Sequence, residues 1–475
     1  MLGPQASSPA DCLLVVFSGP KSRRGRLRSQ HSAFLISGET GKNEANMSRL
    51  IKLVLRLILT TVIGAAVPTI DKAQQNDPAV INFSSSAFEV SEGVGVAHIA
   101  VQRSGNISAT SSVDYSTDDT GAASTCSEFN GLASSRCDFN TTLGKLNFGA
   151  GETEKSFDVL INRDSYVEAP FETFTVKLSN PTGGAILGTT SQSSVQIDDR
   201  NDGSADAAVN IIDRTAGFVR QQYHDFLNRE PDAAGLAFWV DNIDKCDDPD
   251  RRPSNTTVSQ CKENMRINTS AAFFLSIEFL QTGGLVHACY AAAIDRPQKM
   301  PGYLEFVRDT QSVSRGVIVG EASWEQTLSE NREAFLKDFV MRQEFVEHYP
   351  TEDSPATYVN KLYLHAIGRG ATQEEIEQGV NEFGGSQNAI DSGARGRVLL
   401  RLTQSIDARD EFNQAFVHMQ YVGYLRRNPN EFPDSGFAGS DFWLEKLNSF
   451  NGNFIEAEMV KAFLEANEYR SRFGP

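Results

Sequence analysis

From Ala79 to Asp199, apolar and polar residues alternate in short runs: Ile99/Val101, Val113/Tyr115, Leu146/Phe148, Phe157/Val159/Ile161, Phe174/Val176/Leu178 and Val195/Ile197. A period of two sends successive side chains to opposite faces of an extended chain, so each run predicts a half-buried strand. About seven such strands, separated by Gly/Ser/Asn/Asp turns, describe an antiparallel β-sandwich of immunoglobulin-like size. Beyond Asp213 the period changes. Phe218, Val219, Gln222, Tyr223, Phe226 and Leu227 fall at i, i+1, i+4, i+5, i+8 and i+9, which is one face of a helix. The predicted fold class is multidomain: an all-β immunoglobulin-like sandwich over 79–199, a linker over 200–212 and an all-α helical repeat domain over 213–475.

Within the helical region a single spacing recurs four times: an apolar residue, Tyr five later, Leu or Ile four later, Arg two later. The copies are Phe218/Tyr223/Leu227/Arg229, Leu285/Tyr290/Ile294/Arg296, Tyr358/Tyr363/Ile367/Arg369 and Phe416/Tyr421/Leu425/Arg427. Each closes on Glu plus an aromatic, at Glu278-Phe279, Glu344-Phe345, Glu411-Phe412 and Glu468-Tyr469. Tandem helical units of this kind stack to bury a shared core. A charged group at one fixed place in every copy predicts a half-buried ion pair, with the closing Glu as the partner of the Arg. Trp239, Trp324 and Trp443 fall at helical spacing and read as core packing, the alternative being an aromatic platform for carbohydrate.

Near the N-terminus, Met47 opens a segment with Arg49, Lys52 and Arg56, followed by the apolar run Leu57 to Val67 and then polar residues. This is the layout of a signal peptide over 47–73. Its apolar run of about 11 residues is short of the roughly 20 that span a bilayer. Residues 1–46 then read as a disordered leader or a mis-assigned start, with translation from Met47 rather than Met1. Export agrees with cysteine usage. Cys126 with Cys137, and Cys246 with Cys261, sit at short separations in polar stretches and predict two local disulfides. Cys289, on an apolar helix, reads as a buried free thiol.

The 61 acidic against 44 basic residues give a net charge of −17, which disfavours a nucleic-acid partner and favours multivalent cations. The acidic residues of the sandwich cluster just outside strand ends: Glu92, Asp118 and Asp119, Asp164 and Glu168, then Asp198, Asp199 and Asp202. Strand ends on one rim converge, and Ca²⁺ takes six to eight oxygen ligands of this kind. No histidines stand at metal-ligand spacing, and the G-x-S-x-G and H-E-x-x-H motifs are absent. The reading is a non-catalytic protein; the alternative is an exported hydrolase with an unrecognised site in the helical domain.

The segment 79–199 resembles the Calx-beta domains of sodium/calcium exchangers, some integrin subunits and bacterial surface proteins. The resemblance rests on Phe88-Glu-Val-Ser-Glu-Gly93, Tyr115-Ser-Thr-Asp-Asp119, Leu146-Asn-Phe-Gly-Ala-Gly-Glu152, Glu172-Thr-Phe-Thr-Val-Lys-Leu-Ser-Asn-Pro181 and Val195-Gln-Ile-Asp-Asp199. It implies calcium ligands at Glu92, Asp119, Asp164, Glu168, Asp198 and Asp199. Arg163 stands where exchanger domains carry another aspartate, and Arg200 interrupts the terminal aspartates, so one Ca²⁺ is expected rather than two. Residues 213–475 resemble the bacterial domain of unknown function 4214, most clearly at Phe218 to Trp239. That resemblance brings no activity with it but implies a secreted or cell-surface setting. The partner expected is an extracellular protein or polysaccharide, with membrane contact only through the signal peptide or peripheral association.

Overall fold

The structure, a computed structural model of the chain, describes residues 77–122, 125–168, 171–199, 209–405 and 412–475. The expected leader 1–46 and expected signal peptide 47–73, together with Arg200, Asp202 and Glu411, lie outside the described residues.

Among the described residues, nine strands form two facing sheets: β1 (Val80–Phe83), β2 (Ala87–Ser91), β3 (Val96–Ser104), β4 (Ser111–Asp118), β5 (Leu143–Phe148), β6 (Glu154–Leu160), β7 (Glu172–Ser179), β8 (Ile186–Leu187) and β9 (Gln192–Asp198). One sheet has the order β6-β3-β1-β8 and the other β2-β9-β7-β4-β5. The pairings are antiparallel except β1 with β8 and β2 with β9, which are parallel. The periodicity predicts about seven strands; the two further ones, β1 and β8, are four and two residues long, too short to show a period. Inward positions of β3 (Ala97, Ile99, Val101) and β7 (Phe174, Val176, Leu178) close the core. Two stacked ring pairs at 4.0 Å, Tyr115 on Phe157 and Phe139 on Phe174, join it across the sheets.

The helical region begins at Thr215–Gln222 and ends at Asn467–Arg470. No single described helix is long and apolar enough to cross a membrane. Arg229 lies over the ring of Tyr223 at 4.9 Å and pairs with Glu278 at 2.6 Å. The same trio recurs as Arg296 with Tyr290 and Glu344, and as Arg427 with Tyr421 and Glu468. Arg369 lies over Tyr363 and pairs with Glu375 at 2.8 Å. Stacking on the ring and a bidentate carboxylate satisfy a guanidinium that is mostly out of water. The helices at Thr215–Gln222 and Phe412–Met419 each run into a π-helical turn, Tyr223–Leu227 and Gln420–Leu425. These turns pack on each other, Phe226 edge-on to Tyr424 at 5.2 Å.

Sandwich and helices share a polar junction. Gln311 donates to the Thr141 carbonyl at 2.8 Å and accepts from the Leu143 N–H at 3.1 Å. The Ser165 N–H donates to the Phe473 carbonyl, and the Tyr166 hydroxyl to that of Ser471. Gly95, at φ 83°, adopts the left-handed backbone that L side chains rarely take, and a Cβ there would displace the Arg220 guanidinium, which donates to the Val94 carbonyl.

Candidate metal centre

Four short segments of the sandwich build the site. The turn after β2 carries Glu92, a buried carboxyl group. The loop closed by the Cys126–Cys137 disulfide carries Asp138, whose position is fixed by the next residue, Phe139, fully buried against Phe174. The segment after β6 carries Asp164 and Glu168. β7 opens with Glu172, which falls on the same inward parity as Phe174, Val176 and Leu178 and is buried with them.

Asp138, Asp164 and Glu168 are all buried and each offers a carboxylate oxygen within 4.8 Å of the others. Backbone bonds tie the segments together. The Asp164 N–H donates to Glu92 Oε1 at 2.5 Å, the Glu168 N–H to Asp199 Oδ2 at 3.0 Å, and the Ser134 N–H to Asp138 Oδ2 at 2.5 Å. Asp199 Oδ1 is buried with no hydrogen-bond partner.

The electrostatics of this cluster are unfavourable without a cation. Two carboxylate charges about 4.8 Å apart repel by roughly 3.5 kcal/mol at an effective dielectric of ~20. The protein responds by holding protons. Burial first, then the charges of Glu92, Glu168 and Asp138, raises Asp164 well above the usual carboxylate range. Burial and the surrounding carboxylates, Asp138 foremost, push Glu168 up to about 10. Burial and Asp138 raise Glu172 to about 8. Asp138 itself rises to about 6, burial being opposed by the Ser134 N–H, the Glu172 hydrogen bond and the Arg426 charge.

Of the six residues expected from sequence, Glu92, Asp164, Glu168 and Asp199 converge here. Asp119 stands at the edge, its Oδ2 accepting from the Ser135 N–H at 2.8 Å. Asp198 is the last residue of β9, in register with Ser91. Sequence reasoning missed Asp138 and Glu172. The parity of Glu172 with the apolar residues of its strand, and its place at the head of the Glu172–Pro181 motif, are signals that could have found it; the loop that carries Asp138 has no period to mark it.

The donor set is all carboxylate oxygen, which selects a hard cation, and oxygens around one Ca²⁺ at about 2.4 Å lie at most about 4.8 Å apart. The buried, unpartnered Asp199 oxygen fits the same group. Elsewhere, a cavity of about 50 Å³ at the junction is lined by His224, Asp225, Asn140 and Arg426 among others. It is far below the roughly 300–1,000 Å³ of small-molecule sites.

The family model described as the Calx-beta domain matches residues 74–201. Residues 74–201 form a Calx-beta domain. Over 144 residues the chain is 33% identical to the extracellular matrix organizing protein FRAS1 of Mus musculus, covering 30% of this chain and 3% of that protein. Over 117 residues it is 32% identical to the sodium/calcium exchanger Calx of Drosophila melanogaster, covering 25% of this chain and 11% of that one. The chain therefore spans only a small part of the length of these relatives. A solved structure of the apo-form Calx CBD1 domain is 30% identical, with a TM-score of 0.23, over 26% of this chain and 100% of that one. The Calx-beta domain of this chain carries the acidic cluster at the face that meets the helices.

Proposed function

We propose that this chain is an exported, non-catalytic interaction protein whose Calx-beta domain binds one Ca²⁺ at Glu92, Asp138, Asp164, Glu168, Glu172 and Asp199. One observation carries the reading: three buried carboxylates within 4.8 Å of one another, each with its proton affinity raised by burial. Asp119 and Asp198 flank this set, Asp119 orienting the Ser135 turn. The calcium in the name of the Calx exchanger relative supports the same ion. Export through the signal segment 47–73 is supported by the two disulfides and by the extracellular matrix relative. The test is calorimetric titration of the full chain with CaCl₂, alongside thermal melting. Saturable binding with a rise in Tm, both lost in Asp164→Asn/Glu168→Gln, is the expected result; no heat at millimolar calcium would overturn it.

The helical region 213–475 is, on this proposal, four copies of one unit related to the domain of unknown function 4214, offering a surface to an extracellular protein or polysaccharide. The recurring Arg/Tyr/Glu trio supports the copies. Phe238 and Phe442, 54% and 56% exposed beside Trp239 and Trp443, support the surface. Phe238→Ala/Phe442→Ala is expected to abolish retention on polysaccharide or matrix-protein supports without changing Tm; unchanged retention would remove these residues from the surface.

A further inference from the structure

We propose that Arg426 and Arg472, from the far end of the helical region, are positioning residues of the cation centre, holding the turn that presents Asp138. The inference rests on the calcium reading above and extends it to residues outside the Calx-beta domain.

The turn 134–139 makes no strand, so its carbonyls need partners from elsewhere. Ser134 O accepts from the Cys137 and Asp138 N–H groups. Asn162 takes the next two together: its side chain donates to Cys137 O at 2.7 Å and its N–H to Asp138 O at 2.8 Å. The remaining three go to the helical region. Arg426 Nη1 donates to Ser135 O and Phe139 O, both at 2.9 Å, and Arg472 Nε donates to Arg136 O at 2.7 Å. Arg426 Nη2 also reaches Asn140 and, at 3.3 Å, Asn162 Oδ1. The two guanidiniums bracket the turn, leaving the Asp138 carboxylate to point into the cluster.

Both cations are buried, with side chains 4% and 1% exposed, and they share one fully buried carboxylate, Asp225, at 3.4 and 3.3 Å. Asp225 is held in turn by Gln221 at 2.7 Å and the Tyr469 hydroxyl at 3.1 Å. Two buried cations against one anion is an expensive arrangement for packing alone. The backbone supplies an independent sign. Arg426 adopts φ 52°, ψ 43°, the left-handed region that long side chains avoid. The equivalent place after the other π-turn is Asn228, at φ 51°, and after the helix Pro355–Ile367 it is Gly368, at φ 71°. Asn and Gly suit that conformation; Arg does not. An arginine held against its backbone preference, with its head on the turn that bears Asp138, is placed for what its side chain does.

The test turns on opposite signs. Electrostatics alone predicts that deleting a cation beside a carboxylate cluster tightens calcium binding; positioning predicts that it weakens it. In the full chain, Arg426→Met leaves Asp225 balanced by Arg472. Calorimetry is expected to show calcium Kd raised at least tenfold, the calcium-induced rise in Tm shrinking in parallel, and partial recovery in Arg426→Lys. Gln311→Ala, which cuts the junction away from this turn, is expected to leave Kd within about twofold; a purely structural role would lower Tm with and without calcium alike. Hydrogen exchange on calcium-free protein gives an arm independent of binding: amides 134–140 are expected to exchange at least tenfold faster in Arg426→Met, with β3 and β6 unchanged. Should Arg426→Met not fold, Arg472→Met takes its place with the same expectations. Equal or tighter calcium binding together with unchanged exchange at 134–140 would overturn the proposal. Absent calcium binding in the wild type would overturn the calcium reading and leave the exchange arm to decide the positioning role.

Discussion

The backbone N–H of Asp164 donates to Glu92 Oε1 at 2.5 Å, joining the turn after β2 to the acidic segment after β6, 72 residues downstream. That bond brings two carboxyl groups together out of water, and with Glu168 and Glu172 it sets how stability depends on pH. Glu168 and Glu172 have folded values of about 10 and about 8, raised above the unfolded value of about 4.3. The stability they contribute without a cation is fully present below pH 4 and lost as pH rises through 8 and toward 10. Calcium-free protein is expected to lose several degrees of Tm between pH 5 and pH 9, with saturating calcium flattening the curve. Calcium binding at pH 7 is expected to release at least one proton, read from calorimetry in buffers of different ionisation enthalpy. A calcium-free Tm that climbs over this range would contradict the assignment.

Glu172→Gln removes a charge from the cluster and keeps the shape. Calcium affinity is expected to fall about tenfold, while the calcium-free protein gains Tm at pH 8 because one buried repulsion is gone. The two effects have opposite sign, which a simple packing defect does not produce.

The Cys126–Cys137 disulfide closes the loop whose end carries Asp138. Loop-closure entropy for an 11-residue separation gives about 3 kcal/mol of stabilisation. Cys126→Ser/Cys137→Ser is expected to lower both the stability of the sandwich and its calcium affinity. Cys246→Ser/Cys261→Ser is expected to lower stability and leave affinity unchanged, since that bridge lies in the helical region.

His287 and His418 face each other in the helical core, ring centroids 5.3 Å apart; His287 Nε2 and both His418 nitrogens have no hydrogen-bond partner. Burial lowers His287 to about 4 and His418 well below its usual value. The unfolded chain takes up these protons near pH 6.5, so folding is penalised increasingly as pH falls from there, by roughly 3 kcal/mol for His287 at pH 4. His287→Leu/His418→Leu is expected to be neutral or stabilising at pH 7 and to move the acid-unfolding midpoint down by about one pH unit, measured by circular dichroism. An unchanged midpoint would show that other groups set the acid limit.

Much of this architecture was legible along the chain. Alternation found about seven of the nine strands because each has one face in the core, and side-chain direction in a strand repeats every two residues. Change of period located the helices. The Arg and Tyr of the helical region were legible because they recur at one local spacing; the carboxylate partners at Glu278, Glu344 and Glu468 lie 41 to 49 residues further on, and Arg369 takes the nearby Glu375. Four of the six cluster residues were named as ligands by the family resemblance. Glu172 was written in the parity of β7 and overlooked among its alternating neighbours.

The amino-acid sequence by itself determined the two fold classes, the short-range cysteine pairs and the acidic rim, since each follows from local spacing or composition. Only the tertiary structure decided that Asp138 joins the rim, that Asp119 stands at its edge, and that Arg426 and Arg472 seize the turn between them. Those relations cross irregular loops, and the arginine contacts reach across as many as 336 residues of chain. No period encodes such contacts; the packing of β-sandwich on helices, and the need of every buried carbonyl and charge for a partner, sets them.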